Sequence, residues 1–391
     1  TIYDIDGIEL ARSISAINIA VDQTVVNDPT AAANVVAPIL GMSAADLLPD
    51  LIGERRYVLI AKNISPEKWR HVYQAIGDYN SKVLKEVGGL SERIGGFVPE
   101  RSYIRDYPSG KLTASLIGVV NDQGVGSGGL ESSLNSILSG TNGKYVYANG
   151  RGNIIPGSEE IRVEAKSGTS IRLTIDRDVQ WVAQNAISQA VASSKAKSGT
   201  VIVMDPKTGE ILAVSNIRRN EDGTYSSESG NSAAVEANEP GSVAKVFSVA
   251  AAINEGTVKI DSKFSVPGSY LFDPGTKWQK RVTDAYPHGL EEMSVRKILV
   301  DSSNLGTVLI SRTLTTKQNH EYLKLFGFGT KTEIKYPGEA RGALRPAEKW
   351  QGTEKITFAY GYGYTATAFQ MAAAVNTVAN NGVYVAPKLI L

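Results

Sequence analysis

Glu239-Pro240-Gly241-Ser242-Val243-Ala244-Lys245-Val246-Phe247 is the stretch on which the reading of this chain turns. Pro240 and Gly241 break whatever precedes them and let backbone approach closely. Behind them, Val246, Phe247, Val249, Ala250 and Ile253 predict the interior of a helix that Ser242 opens. Ser242 and Lys245 stand three apart, so they share one helix face, a turn from each other. A serine hydroxyl is a weak nucleophile until a neighbouring base takes its proton. A lysine amine serves as that base when burial lowers its pKa toward neutrality. The helix N-terminus adds N–H groups and the positive end of a dipole, both useful to an oxyanion.

Spacing alone decides little. Ser65/Lys68, Ser194/Lys197 and Ser294/Lys297 also match S-x-x-K, and for each a solvated helix face is the ordinary reading. Context sets Ser242 apart: the Pro-Gly break, the apolar helix, and a polar, Gly/Ser-rich stretch over 216–238 that predicts a long loop. A second element follows in Asp301-Ser302-Ser303-Asn304, which gives S-x-N. Ser302 and Asn304 are expected on one short loop, a hydroxyl to relay a proton and an amide to hold a substrate peptide. The same pattern occurs at Ser133/Asn135 and Ser229/Asn231, and by itself 302–304 reads equally as a capping turn.

Composition narrows the chemistry. The 391 residues are 42% hydrophobic and 21% charged, ordinary for a globular chain of two or three domains. Lys and Arg number 41 against 40 Asp and Glu, a net charge of +1 that offers no field for nucleic acid. The absence of cysteine excludes a disulfide framework, a thiolate nucleophile, Cys-ligated zinc and iron–sulfur chemistry. His71, His288 and His320 stand in unrelated contexts, so a histidine metal site or Ser-His-Asp triad fits poorly and the base falls to Lys, Glu or Asp. No run reaches the roughly 18–20 apolar residues of a membrane-spanning helix. The chain opens on Thr1 and stops at Leu391 inside an apolar, strand-like stretch, which reads as a piece of a longer protein.

The organisation changes near residue 171. Before it, Ile2 to Ala11 predicts a hairpin turning at Asp6-Gly7. Trp69, Val72, Tyr73, Ile76, Tyr79, Val83 and Leu84 predict a helix over 66–87, stopped by Gly88-Gly89. Glycines punctuate 118–152 as they do loops and short strands. After it, Ile171, Leu173 and Ile175 predict a half-buried strand. Asp176 then caps a helix whose inner face is Val179, Val182, Ile187 and Val191. Residues 200–204 and 211–214 predict two strands joined by Asp205-Pro206-Lys207-Thr208-Gly209-Glu210.

Taken in order, these elements resemble the class B, monofunctional penicillin-binding proteins, whose motif set is S-x-x-K, S-x-N and K-[ST]-G. The resemblance runs nearly end to end. It is carried by Arg105-Asp106-Tyr107-Pro108, Gly129-Leu130-Glu131, Leu173-Thr174-Ile175-Asp176 with Gln180, and Asp205-Pro206 with the 208–213 run. It continues through 239–242, 302–304, Phe326-Gly327-Phe328-Gly329, Gly361-Tyr362-Gly363, Thr367 with Gln370, and Ala379-Asn380-Asn381-Gly382. One departure stands out. Lys166-Ser167-Gly168, Lys197-Ser198-Gly199 and Lys207-Thr208-Gly209 match the third motif but all precede Ser242, so the functional K-[ST]-G is expected beyond Leu391 and the 391-residue piece is expected to be inactive on its own.

The resemblance implies an α+β fold: a penicillin-binding-protein/β-lactamase-like transpeptidase domain over 171–391, C-terminally incomplete, with an antiparallel sheet and helices on both sides. Behind it stands an elongated, β-rich N-terminal pedestal, the dimerisation-type domain, over 1–170. It implies a peptidoglycan D,D-transpeptidase that cross-links stem peptides through a serine acyl-enzyme and binds β-lactams covalently. Ser242 would be the nucleophile and Lys245 the general base; Ser302 would pass a proton toward the leaving amine. Asn304 would orient Lys245 and bind substrate backbone, and no metal or cofactor would be needed. It further implies anchorage outside the bacterial cytoplasmic membrane by an N-terminal helix absent from this chain, and a glycosyltransferase partner in the division or elongation machinery. A β-lactamase or D,D-carboxypeptidase on the same fold, or a catalytically inactive scaffold of the division machinery, are the alternatives; the leading domain argues against a lactamase.

Overall fold

One long strand organises the amino-terminal half. In the computed structural model, which describes residues 1–391 apart from 87–91, 147, 151, 152, 156, 159, 160 and 229, Ile2–Tyr3 (β1) turns back into Glu9–Val21 (β2). Asp4 makes the turn: its Oδ1 accepts from Asp6 N at 3.0 Å and Ile8 N at 2.7 Å, with Gly7 at φ 86°, where a side chain is strained. The expected hairpin is present, with Ile2 opposite Ala11.

Further along, β2 pairs with Val58–Ile64 (β3) on one edge and, from Arg12 onward, with Phe97–Asp106 (β4) on the other. Three helices pack on this sheet: Pro29–Leu40 (α1), Ala44–Leu51 (α2) and Pro66–Glu86 (α3). Asp28 caps α1 by accepting from Ala31 N at 2.9 Å, ahead of Pro29 in the first turn. Ile19, Val21, Val36, Leu47, Leu51 and Val72 form the core between sheet and helices, so the half expected to be β-rich is a mixed layer. Within α3, Val72 and Val83 are buried while Tyr73 and Leu84 are exposed, a narrower stripe than the sequence suggested. The expected stop at Gly88-Gly89 lies outside the described residues.

The second half begins where β1 takes a parallel partner, Ile171–Arg172 (β5). Here the expected half-buried strand is corrected. Ile171–Arg172 ladders with β1, Leu173 adds a single antiparallel bridge to Ile390, and Leu173, Thr174 and Ile175 are all fully buried. Thr174 sits inside because its hydroxyl has a carbonyl to donate to, Ile211 O at 2.7 Å or Lys388 O at 2.9 Å. Asp176 then caps Arg177–Ser194 (α4) as expected, accepting from Asp178 N and Val179 N. The inner face differs from the prediction: Val182 is 59% exposed and Gln180 is buried. Gln180 donates to Leu112 O and Val214 O and accepts from Val214 N, and this fixes the rotation of the helix.

α4 lies on an antiparallel three-stranded sheet of Ser198–Met204 (β6), Ile211–Arg219 (β7) and Tyr225–Ser227 (β8). The stretch expected to be a long loop over 216–238 is thus partly structured. β7 runs on to Arg219, and β8 pairs back on it through a turn in which Asp222 Oδ1 accepts from Thr224 N. A core of Ile2, Leu10, Leu116, Leu130, Leu173, Val214, Tyr336 and Phe369 joins residues from both halves, and Tyr336 Oη donates to Ser115 O at 2.9 Å.

The remaining core gathers around Lys245–Asn254 (α5), Asn304–Ser311 (α6) and Ala368–Ala379 (α7). Phe247 of α5 meets Phe326 and Phe328 with ring centroids at 4.9 and 5.4 Å. Thr367 and Gln370 form a reciprocal capping box at the start of α7.

Candidate active site

The chain approaches α5 through a short 3₁₀ turn, Gly241–Ala244, and the α-helix proper begins at Lys245. Two contacts with the 361–363 loop hold that turn. Gly241 N donates to Gly361 O at 3.0 Å, and Gly363 N donates to Glu239 Oε1 at 2.9 Å. The fit leaves no room for a side chain at Gly361: a Cβ there would lie 2.0 Å from Gly241 O, and its φ is 91°. Below the turn, Ser248 Oγ donates to Ala359 O at 2.9 Å. The helix buries Phe247, Val249, Ala251 and Ala252. Val246 and Ile253, expected inside, are instead exposed, because the 3₁₀ turn shifts the phase of the apolar face.

Ser242 stands exposed on the turn, whereas Lys245 is only 2% exposed. Lys245 Nζ donates to Ser302 Oγ at 2.9 Å and also to the Ser302 carbonyl. Both acceptors are neutral, so burial penalises the ammonium form and lowers the lysine pKa to about 8, against an opposing pull from the Asp284 carboxylate. A lysine in that range holds roughly a tenth of its population as the free amine at neutral pH, far more than an ordinary lysine does.

Ser302 offers both its oxygens to one amine because its backbone is left-handed, at φ 54°. Ser303 is the N-cap of α6: its Oγ accepts from Gly306 N at 2.8 Å and donates to Asp284 Oδ2 at 2.6 Å. The 302–304 segment is therefore a capping turn and a lysine partner at once. Asn304 is placed beside them, but its Nδ2 donates to Thr283 O at 2.8 Å. The orientation of Lys245 expected from Asn304 comes from Ser302.

The other S-x-x-K matches have different fates. Ser65 Oγ accepts from Lys68 N, and Ser294 Oγ caps its helix by accepting from Lys297 N. Ser194 Oγ folds back on Ala190 O. Of the three K-[ST]-G matches, Lys166 pairs with Thr141, Ser198-Gly199 opens β6, and 207–209 forms the turn between β6 and β7.

Sequence reasoning missed Asp284 and His288. The only trace of them is Asp-x-x-x-His in a Pro/Gly-containing stretch, Asp284-Ala285-Tyr286-Pro287-His288-Gly289, too common to single out.

Two family models divide the chain. Residues 199–391 match the penicillin binding protein transpeptidase domain and residues 1–173 match the penicillin-binding protein dimerisation domain. Over 358 residues, 89% of this chain, it is 34% identical to penicillin-binding protein PbpB of Mycolicibacterium smegmatis. The chain is a class B penicillin-binding protein.

Other relatives of this penicillin-binding protein include the probable peptidoglycan D,D-transpeptidase PenA of Neisseria meningitidis, 34% identical over 77% of the chain. The chain spans about half the length of these curated relatives, 51% in both cases. Among solved structures, a peptidoglycan synthetase from Bifidobacterium adolescentis superposes with a TM-score of 0.74 at 29% identity, covering 100% of this chain and 72% of that one. Penicillin binding protein 3 from Mycobacterium tuberculosis, complexed with ampicillin, gives a TM-score of 0.65 at 32% identity, covering 74% of this chain and 61% of that one. The α+β transpeptidase fold behind an N-terminal dimerisation domain is thus that of the family.

Proposed function

We propose that this penicillin-binding protein is a peptidoglycan D,D-transpeptidase with Ser242 as nucleophile and Lys245 as general base. The observation that carries the reading is the buried Lys245, its Nζ on Ser302 Oγ and its pKa lowered to about 8, one turn from an exposed serine. Neutral Lys245 takes the Ser242 hydroxyl proton as Oγ bonds to the penultimate D-alanyl carbonyl carbon of a stem peptide. The C–N bond to the terminal D-alanine then breaks, and the leaving amine takes a proton that Ser302 relays from Lys245. An amine of a neighbouring stem peptide attacks the acyl-enzyme ester, passes its proton back through the same groups, and restores Ser242.

Asn304 belongs to this reading as the residue whose amide would meet substrate backbone, its Nδ2 also donating to Thr283 O. β-Lactams would acylate Ser242 in the same way, their strained amide taking the place of the D-Ala-D-Ala bond. The domain division at 170/171 is kept as part of this reading, supported by the separate ranges of the two family models. So are action at the outer face of the cytoplasmic membrane, an N-terminal anchor, and a glycosyltransferase partner in wall synthesis. Among the described residues no helix is long and apolar enough to cross a membrane.

The test is covalent labelling of the full-length protein by a fluorescent penicillin, with the adduct mapped by mass spectrometry. Ser242 carries the adduct and Ser242→Ala abolishes it. Labelling that persists in Ser242→Ala, at Ser65, Ser194 or Ser294, overturns the assignment. Turnover of the β-lactam in place of a stoichiometric adduct would make the protein a hydrolase.

A further inference from the structure

Beneath the 302–304 turn lies a carboxylate with no exposed side-chain surface, Asp284. It follows the strand Lys280–Thr283, and its own N–H donates to Gly268 O at 3.2 Å. Its oxygens are used fully. Oδ2 accepts from Ser303 Oγ at 2.6 Å and faces His288 Nε2 at 3.1 Å, while Oδ1 accepts from Leu305 N at 3.0 Å. Asp284 therefore holds the residues on either side of Asn304, one by side chain and one by backbone.

Ser302, immediately upstream, sits at φ 54°, a conformation that costs free energy for a residue with a side chain. Such a residue keeps its geometry only when the surroundings over-determine it. Here the surroundings are the backbone bonds from Ser302 N to Leu299 O and from Ser303 N to Ile298 O, together with Ser303 and Leu305, both tied to Asp284. The same carboxylate is the negative charge felt by Lys245, although no ion pair joins the two among the described residues. When Ser242 gives its proton to Lys245, a cation forms on a side chain with little access to solvent, and a fixed anion nearby steadies it without having to reorganise.

We propose that Asp284 is a positioning residue for acyl transfer: it locks the Ser302 turn onto Lys245 and supplies the charge that steadies the lysine once protonated. This rests on the reading of Ser242 and Lys245 given above. His288 completes the anchorage, its Nδ1 facing Gly289 O at 2.8 Å and Glu291 Oε2 at 3.9 Å. The other charged and titratable groups around the assembly pair among themselves. Lys297 Nζ lies 3.2 Å from Glu291 and 2.5 Å from Asp301, and Tyr286 Oη donates to Asp301 at 3.1 Å. None of these relieves Lys245 of its dependence on Asp284.

Asp284→Asn in the full-length protein tests this. The adduct on wild-type Ser242 is mapped first, so that failure of the Ser242 reading is seen separately. Acylation by benzylpenicillin should slow about 10–100-fold in the variant, the scale of a misplaced catalytic group. The alkaline rise of its pH–rate profile should also move to lower pH, because removing the anion favours neutral Lys245. A purely architectural Asp284 would lower the melting temperature and leave the pH profile in place, and that result overturns the proposal. Ser303→Ala keeps the anion and removes one anchor: it should slow acylation with the pH rise unmoved. An unchanged rate in Ser303→Ala overturns the proposal, even where Asp284→Asn fails to fold. Should wild-type Ser242 not be labelled, the Lys245 titration followed by NMR in Asp284→Asn still decides the coupling: a lower midpoint supports it and an unmoved one overturns it.

Discussion

Ser242/Lys245 and Ser294/Lys297 repeat one spacing and end in opposite electrostatic states. Ser294 spends its hydroxyl capping a helix, and its lysine, with a 40% exposed side chain, sits against two carboxylates. Asp301 first and Glu291 second hold Lys297 above the usual lysine range. Lys245 is buried against a hydroxyl and a carbonyl, and burial drives it down to about 8. The same three-residue step thus yields a surface ion pair in one place and a buried lysine with a lowered pKa in the other. What makes the difference is the partner, since a cation beside an anion is stabilised charged and a cation beside neutral oxygens in a dry site is not. The partners are set far away in sequence, by the 302–304 turn in one case and by the 291–301 segment in the other.

Three substitutions sharpen that contrast. Lys245→Ala should slow acylation of Ser242 by about 10²–10⁴-fold, the range for loss of a general base, while the variant still folds. Fluorescent-penicillin kinetics alongside a circular dichroism melt checks both halves. Ser294→Ala should cost about 1 kcal/mol of stability through the lost N-cap, with acylation unaffected, as a denaturant titration and the same labelling assay would report. Lys297→Ala should change least: the acylation rate stays where it was and the melting temperature moves less than in Ser294→Ala. A large loss of labelling in Lys297→Ala would mean that the two serines had been assigned the wrong way round.

Much of this was legible in the sequence, and the limits have physical causes. Asp176 announced its helix because an N-cap is a local device, written within three residues. The order of S-x-x-K, S-x-N and the longer matches around them carried the family because several motifs in sequence are far more specific than any one short spacing. The inner face of α4 was misread because periodicity counts apolar residues only. Gln180, satisfied by three backbone bonds, displaced Val182 from the core. The same blindness hid Thr174, buried between two carbonyls. Asp284 was beyond reach for a related reason. Its importance lies in which groups the fold brings to it, and nothing within Asp284-Ala285-Tyr286-Pro287-His288 states that Ser303 and Leu305 will arrive.

The chemistry proposed for Ser242 depends on Lys245 being available as a base near neutral pH. The most direct measurement is an NMR titration of lysine side chains labelled at Cε and Nζ, with Lys245 assigned by its loss in Lys245→Arg. A Lys245 midpoint near pH 8 is expected, well below those of the exposed lysines, so that its neutral fraction and the acylation rate rise together through that range. A Lys245 midpoint above about 10, among the ordinary lysines, would contradict it.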